Sequence, residues 1–437
     1  MKQTSGFIST YSADAFGVCS ALYELGGMIV MHDASGCNST YTTHDEPRWY
    51  DMDSMVYISG LTEVEAIMGD DSKLINDVVT AAEELNPKFI AIVGTTIPAM
   101  TGFDADAAAK VIEERTGIPA FGFSTTGMKS YVHGASLAFE MLADRFVKEP
   151  DNKSLQEKVN FDVYAENQNK KTCTNTGPNS DENTNRNIDK STVSVTKRKI
   201  NILGLTPLDF SVNGSDRSIK EYYESQGYEI ISTWAMGSSL DDIKKAAEAD
   251  LNIVVSETGI AAAKKLKEKY GIPYKIGIPV GGIDIDVTEE YETKGEKDNN
   301  KNNNNDEKLS PNNLLEEQRN NTEQTTKILI LGERVNVLSL AKYLYEKTGK
   351  TCLGYATTDS DEDEIIKVIS SLDNLQMIIA DPLFKPVIKL AAKQNGNVNT
   401  EKIKFVDYPH EAFSGRIYRE RVFNLVRENI YGIIENI

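Results

Sequence analysis

The chain has 437 residues, 40% of them hydrophobic, enough for two or three packed domains and too apolar for a largely disordered protein. Its 66 acidic against 47 basic side chains give a formal net charge of -19, a surface that repels phosphate backbones and anionic lipid, so nucleic acid and membranes are excluded as partners. No apolar run approaches the roughly 20 residues of a membrane span, no signal peptide opens the sequence, and four cysteines in so long a chain make no disulfide framework, which together predict a cytoplasmic protein.

The pattern predicts an amphipathic helix over 12–25 carrying Cys19, then a strand over 28–31 that the loop His32-Asp-Ala-Ser-Gly-Cys37 closes. A helix over 71–85, a buried strand over 88–93, a helix over 105–115, a strand over 120–123 and a helix over 134–146 complete a first block, 1–149. Residues 150–198 are polar and low in complexity, with almost nothing to bury, and are expected to be a disordered insert. A second block, 199–288, alternates strands over 199–203, 229–233 and 251–255 with helices over 217–226, 240–249 and 260–270. A second, Asn-rich insert over 289–326 contains Asn302-Asn-Asn-Asn305 and is expected to be disordered. The third block, 327–437, offers strands over 327–331, 377–380 and 403–405, a further strand at Cys352, helices over 337–347 and 363–372, and a last helix over 417–434.

Apolar strands alternating with amphipathic helices predict an α/β protein of three Rossmann-like, doubly wound parallel-sheet domains. In such sheets ligands sit beyond the carboxyl ends of strands. Cys37, Thr95, Ser256 and Asp381 fall there. There is no phosphate-binding Gly-x-x-x-x-Gly-Lys-Ser/Thr loop, no Gly-x-Gly-x-x-Gly after a strand, no Gly-x-Ser-x-Gly and no His-Glu-x-x-His. Cytoplasmic cysteine pairs more often serve metal or redox chemistry than crosslinks. A helix, a strand and a Gly-Cys loop can bring Cys19 and Cys37 to one sheet edge, as two of the four ligands a 4Fe-4S cluster takes. The plainer alternatives are a buried thiol at Cys19 and a loop thiol at Cys37. Cys173 lies in the first insert and Cys352 on a strand, so neither completes the set.

The order of residues resembles the nitrogenase component 1 superfamily, which includes nitrogenase α and β chains, cofactor-assembly scaffolds, and the dark-operative protochlorophyllide and nickel-sirohydrochlorin reductases. The resemblance is carried by Cys19-Ser-Ala-Leu-Tyr-Glu-Leu-Gly-Gly27 leading to His32-Asp-Ala-Ser-Gly-Cys37, by Gly60-Leu-Thr-Glu63 with Gly69-Asp70-Asp71, and by Phe89-Ile-Ala-Ile-Val-Gly-Thr-Thr96. Leu251-Asn-Ile-Val254, Glu268-Lys-Tyr-Gly-Ile-Pro-Tyr274 and Phe413-Ser-Gly415 extend it through the later blocks. It implies metal ligands at Cys19 and Cys37, for a 4Fe-4S cluster shared across a subunit interface, in a homodimer or a heterodimer with a related component 1 chain. A partner subunit, or Asp33, could instead complete the ligand set. It also implies a separate reductase partner, a nitrogenase reductase-like P-loop ATPase, consistent with the missing P-loop here.

Departures from the family pattern are equally specific. The third cluster cysteine falls on Thr96, the nitrogenase cofactor thiolate on Ser256, and the cofactor histidine on or beside Pro409, next to His410. No FeMo cofactor is therefore expected. Thr95 and Thr96 could donate to inorganic sulfur or simply shape a turn. Ser256, Glu257, His410, Glu411 and Arg416 are expected in the pocket between the blocks. His410 beside Glu411 is the catalytic candidate as an acid–base group, unless Tyr-Pro-His-Glu is a plain surface turn. Tyr418, Arg419 and Arg421 are expected on the solvent face of the last helix. The function implied is a nitrogenase-like oxidoreductase subunit of the catalytic-component type reducing an unidentified substrate, with tetrapyrrole-like or sulfur-containing compounds as candidate classes. The alternative is a non-catalytic scaffold for metallocofactor assembly, and a third reading is a small-molecule binding protein that kept the fold and lost the cluster.

Overall fold

Short apolar strands build three separate four-stranded parallel sheets, each in the same strand order. The computed structural model describes residues 12–36, 46–150, 197–292, 327–358, 360, 362–372, 375–394 and 403–427. Cys37 and Cys173 lie outside the described residues, as does most of both expected inserts. The first sheet contains β1 (Met28–Met31), β2 (Met55–Ile58), β3 (Ile90–Val93) and β4 (Ala120–Phe123), ordered β2-β1-β3-β4. The second contains β5 (Lys199–Leu205), β6 (Glu229–Ala235), β7 (Leu251–Val254) and β8 (Tyr274–Ile276), ordered β6-β5-β7-β8. A two-stranded antiparallel ribbon follows, β9 (Pro279–Val280) with β10 (Ile283–Asp284). The third sheet holds β11 (Ile328–Gly332), β12 (Cys352–Ala356), β13 (Met377–Ala380) and β14 (Lys404–Asp407), ordered β12-β11-β13-β14.

Central strands are buried along most of their length because helices cover both faces of a parallel sheet. β1, β3, β11 and β13 are buried at every position, whereas the edge strands β2, β12 and β14 are partly exposed. β2 was not expected from the sequence, although Met55-Val-Tyr-Ile58 is an apolar run. The second sheet buries a polar ladder across three strands. Trp234 Nε1 donates to Ser232 Oγ, Ser232 Oγ to Asn201 Oδ1, and Asn201 Nδ2 to Asn252 Oδ1, each at 2.8 Å. Wrong registers would leave these groups unpaired, so the ladder favours one strand alignment.

Two sequence expectations are corrected. The amphipathic helix over 12–25 is a nine-residue helix, Asp14–Leu22, buried on all sides. The last helix over 417–434 is absent across 417–427, where the 3-10 turns Gly415–Ile417 and Arg419–Arg421 lead into an irregular stretch. Tertiary bonds override helix propensity there: the carbonyls of Val422 and Leu425 accept from Asn213 Nδ2 and the Gly281 N–H, both at 2.8 Å.

The helix Asp14–Leu22 is clamped against the helix Tyr131–Arg145 by two glycines. A Cβ on Gly134 would lie 1.8 Å from the Asp14 carbonyl oxygen, and one on Gly17 2.0 Å from that of Tyr131. On its other side the Tyr131–Arg145 helix meets the second sheet, where Phe139 packs edge-on against Trp234 at 6.0 Å. One hydrophobic core accordingly runs from the first sheet into the second and on to the third. Gly134→Ala is expected to lower stability by about 1–3 kcal/mol or more through forced separation of the two helices. Urea denaturation checks this, and an unchanged midpoint would sink the account of the contact.

Candidate functional site

In each sheet the chain leaves the first strand for one neighbour, then crosses to the other side, so the first and third strands in chain order flank a topological switch point. In the second sheet this point lies beyond β5 and β7. It holds Thr206 and Asp209 on one side and Ser256 on the other. In the third sheet it lies beyond β11 and β13, and holds Glu333 and Asp381. In the first sheet it lies beyond β1 and β3. There the buried Thr95 Oγ1 donates to the His32 carbonyl at 2.7 Å and lies 3.1 Å from Asp33 Oδ1.

The second and third points meet at Asp209, a fully buried carboxylate. Its Oδ2 accepts from Thr206 Oγ1 at 2.7 Å and Ser256 Oγ at 2.6 Å, and its Oδ1 from the Tyr131 phenol. His410 Nε2 stands 3.7 Å from Oδ1. Burial pushes the Asp209 carboxyl above the usual carboxylate range, while the hydroxyls of Ser256, Tyr131 and Thr206 pull it back. Glu333 is also raised, by burial and then by the Asp209 and Glu257 carboxylates, although it accepts backbone N–H bonds from Glu257, Val335 and Asn336 at 2.8, 3.1 and 2.9 Å.

His410 is fixed from both ends. Its backbone N–H donates to Asp381 Oδ2 at 2.9 Å, and its Nδ1 accepts the Ala412 N–H at 3.3 Å as the cap of the helix Glu411–Ser414. Burial lowers its pKa to about 4, so the ring is neutral at pH 7. With Nδ1 accepting, the single ring proton sits on Nε2. That atom is buried and has no hydrogen-bond partner among the described residues. His410 lines a cavity with room for about one water, together with Asp209, Ser215, Asn336, Tyr408 and apolar side chains.

The structure thus brings Ser256 and His410, 154 positions apart in the sequence, to one carboxylate. Glu411 is buried nearby, accepting from Ser211 Oγ at 2.8 Å and from Arg419 at 2.9 and 2.7 Å, so Arg419 is not the solvent-facing residue expected. Glu257 turns instead to Tyr291 and Arg334, and Arg416 is exposed. Thr96 is exposed and its hydroxyl donates to the Thr126 carbonyl at 2.9 Å. Asp209, Tyr131 and Glu333 were not anticipated from sequence. The signal for Asp209 is Thr206-Pro-Leu-Asp209 straight after a strand, a Thr-x-x-Asp helix start at a sheet's carboxyl edge.

The sequence model of the nitrogenase component 1 type oxidoreductases matches residues 14–364. The chain belongs to this family. Among curated component 1 relatives, the nitrogenase iron-molybdenum cofactor biosynthesis protein NifE of Clostridium pasteurianum is 25% identical over 219 residues, covering 50% of this chain and 38% of that protein. A light-independent protochlorophyllide reductase chain of Prosthecochloris aestuarii is 34% identical over 83 residues, 19% of this chain and 16% of that one. The matches span less than half the length of these relatives. A solved nitrogenase Cp1 structure at pH 5 shares the fold, with a TM-score of 0.55, 16% identity, and coverage of 99% of this chain and 92% of that one.

The component 1 resemblance implies a cluster ligand at Cys19. Cys19 sits in mid-helix at zero exposure within the hydrophobic core, and burial, with the nearby Glu46, drives its thiol pKa well up in the metal-free chain. Among the described residues no three or more His, Cys, Asp or Glu side chains group as a metal site. Thr95 has its one hydroxyl proton bonded within the first switch point. At the second, the Ser256 hydroxyl is spent on Asp209, and the accepting Nδ1 of His410 is the reverse of a metal-binding histidine, whose second nitrogen donates. Neither residue fits a metal ligand.

Two measurements follow from these environments. Iodoacetamide should leave Cys19 unmodified in the native protein and label it only after unfolding, as read by peptide mass. Labelling at the rate of a free surface thiol would contradict its core placement. The folded pKa of His410 lies below its ordinary 6.5, so the unfolded chain takes up the proton first and stability falls as pH drops from 6.5 towards about 4. Above 6.5 both states are neutral and the group contributes nothing. Relative to wild type, His410→Gln should flatten that fall by on the order of 2 kcal/mol, and identical pH slopes in chemical denaturation would refute it.

Proposed function

We propose that this chain is a nitrogenase-like oxidoreductase subunit of the catalytic-component type, working with a related component 1 chain and a separate ATP-dependent reductase, and that its reacting site is the Asp209–His410 junction. The observation that carries the reading is the neutral, proton-bearing His410 Nε2, buried without a partner beside a carboxyl of raised proton affinity. A reduction needs both kinds of group. One hydrogen-bonds the atom that gains electron density, and the other takes and returns a proton near neutral pH. Tyr131, Ser256 and Thr206 hold Asp209 in place for this role. No described ligand set supports routing electrons through a cluster at Cys19, and Cys37 remains the thiol to test.

A second reading, a scaffold for metallocofactor assembly, is favoured by the cofactor biosynthesis proteins that match half of the chain. Anaerobic purification with iron and sulfide analysis, on wild type and Cys37→Ala, followed by incubation with a nitrogenase reductase-type ATPase, dithionite and ATP, separates the two. The expected outcome is ATP hydrolysis coupled to substrate reduction, with product formation reduced about 10²–10⁴-fold in His410→Gln. A metal cluster that copurifies and passes to another component 1 chain without ATP hydrolysis would establish the scaffold instead.

A further inference from the structure

We propose that residues 415–427 are a removable strap over the His410 cavity, so that the chain's own C-terminal segment gates this site. The proposal deepens the reading above, since it rests on His410 being the working group.

Val422, Phe423, Leu425 and Val426 form one wall of the cavity that Asp209 and His410 line from the other side. Phe423 lies nearly parallel to Tyr408, at 5.7 Å between ring centroids and 21° between planes. The strap therefore occupies the aromatic face that borders His410, and a ligand reaching Nε2 by this wall must displace it. Its outer surface is charged and wet: Arg416, Glu420 and Arg421 are exposed.

The fastenings are separate side-chain and backbone contacts. Arg419 forks onto Glu411, Asn213 Nδ2 donates to the Val422 carbonyl, Asn424 Nδ2 donates to Ser218 Oγ at 2.9 Å, the Gly281 N–H donates to the Leu425 carbonyl, and Arg421 and Arg427 pair with Asp407 and Glu221 at 2.8 and 3.8 Å. Within the strap the backbone forms isolated 3-10 turns and pairs with no sheet. Opening it breaks these contacts and lifts the buried Leu425 from the core, but it disrupts no regular ladder, so the segment can open as a local unit. A pivot is built in. Gly415 adopts φ +53 between the buried Ser414 and the exposed Arg416, a conformation that strains any other residue. His410, on the near side of that glycine, is held by Asp381 and Ala412 and does not depend on the strap for its position.

Diethyl pyrocarbonate labelling of the full chain, read by peptide mass, tests the gate. His133, on the outer part of its helix, serves as the internal reference. In wild type, His410 should react far more slowly than His133. Arg419→Ala, and independently Asn424→Ala, should raise the His410 rate about tenfold or more by removing one fastening, with the His133 rate unchanged, under conditions where each variant is folded by its own urea curve. Amide exchange at Gly281 should quicken in the same variants. Wild-type labelling at His410 in both variants, or labelling that appears only in step with global unfolding, would overturn the gate. Labelling does not require turnover, so its failure leaves the catalytic reading standing. Conversely, a working gate with full product formation in His410→Gln would retire that reading alone.

Discussion

The close approach of two helices at Gly17 and Gly134 sets the distances on which the rest depends. The helices Asp14–Leu22 and Tyr131–Arg145 approach until each glycine lies against the other helix's backbone carbonyl. Asp14 reinforces the contact from its side chain, accepting the N–H groups of Thr126 and Gly127 at 3.0 and 2.7 Å in the loop that leads into the second helix. The first residue of that helix is Tyr131, whose phenol reaches Asp209 beyond the second sheet. A spacing fixed inside the first sheet's layer thereby positions a hydroxyl on a carboxylate that belongs to another sheet. Backbone contact suits this better than side-chain packing, because it has no rotamers to relax.

Around Asp209 the fold accepts a cost that an ordinary core avoids. Asp209, Glu333, Asp381 and Glu411 are all buried near the junction, and an unpaired buried carboxylate costs several kcal/mol. Donors offset this at each group: three hydroxyls at Asp209, three backbone N–H groups at Glu333, two at Asp381, and Ser211 with Arg419 at Glu411. Against such complete pairing the open Nε2 of His410 stands out. Proton-affinity shifts driven by burial and neighbouring charge concentrate where chemistry is done, and here they concentrate at the carboxyl ends of strands that flank switch points.

Much of this was legible in the sequence. The strands over 28–31, 120–123 and 377–380 and the helix over 260–270 are found as expected, because continuous apolar runs and strong amphipathic periods report burial directly. The family resemblance supplied Ser256 and His410, and the fold brings them together. Asp209 was missed because an acidic residue in a turn resembles solvent-facing turn chemistry until the opposing strand ends are in place. Cys19 poses a related ambiguity. A cysteine in a helical pattern is equally a ligand or a small core residue, and here its helix is packed on all sides. The strap over 417–427 reads as helix from its apolar spacing, yet its carbonyls are claimed by Asn213 and Gly281. Such long-range bonds leave no local signal.

The same geometry bears on the position where the resemblance places the nitrogenase cofactor thiolate, Ser256. A thiolate in place of the Ser256 hydroxyl would face Asp209 Oδ2 at hydrogen-bond range, anion against anion in a buried junction. The carboxylate would hold the thiol protonated, so a sulfur at that position would donate to Asp209 much as the serine does. His410 would still present a proton, because Nδ1 remains tied to the Ala412 N–H at the start of its helix. Recovering a metal-binding pair would require removing Asp209 and turning the imidazole, and Asp209 is the point at which Tyr131, Thr206 and Ser256 converge. The carboxylate that organises the junction is thus the group on which the proposed proton chemistry rests.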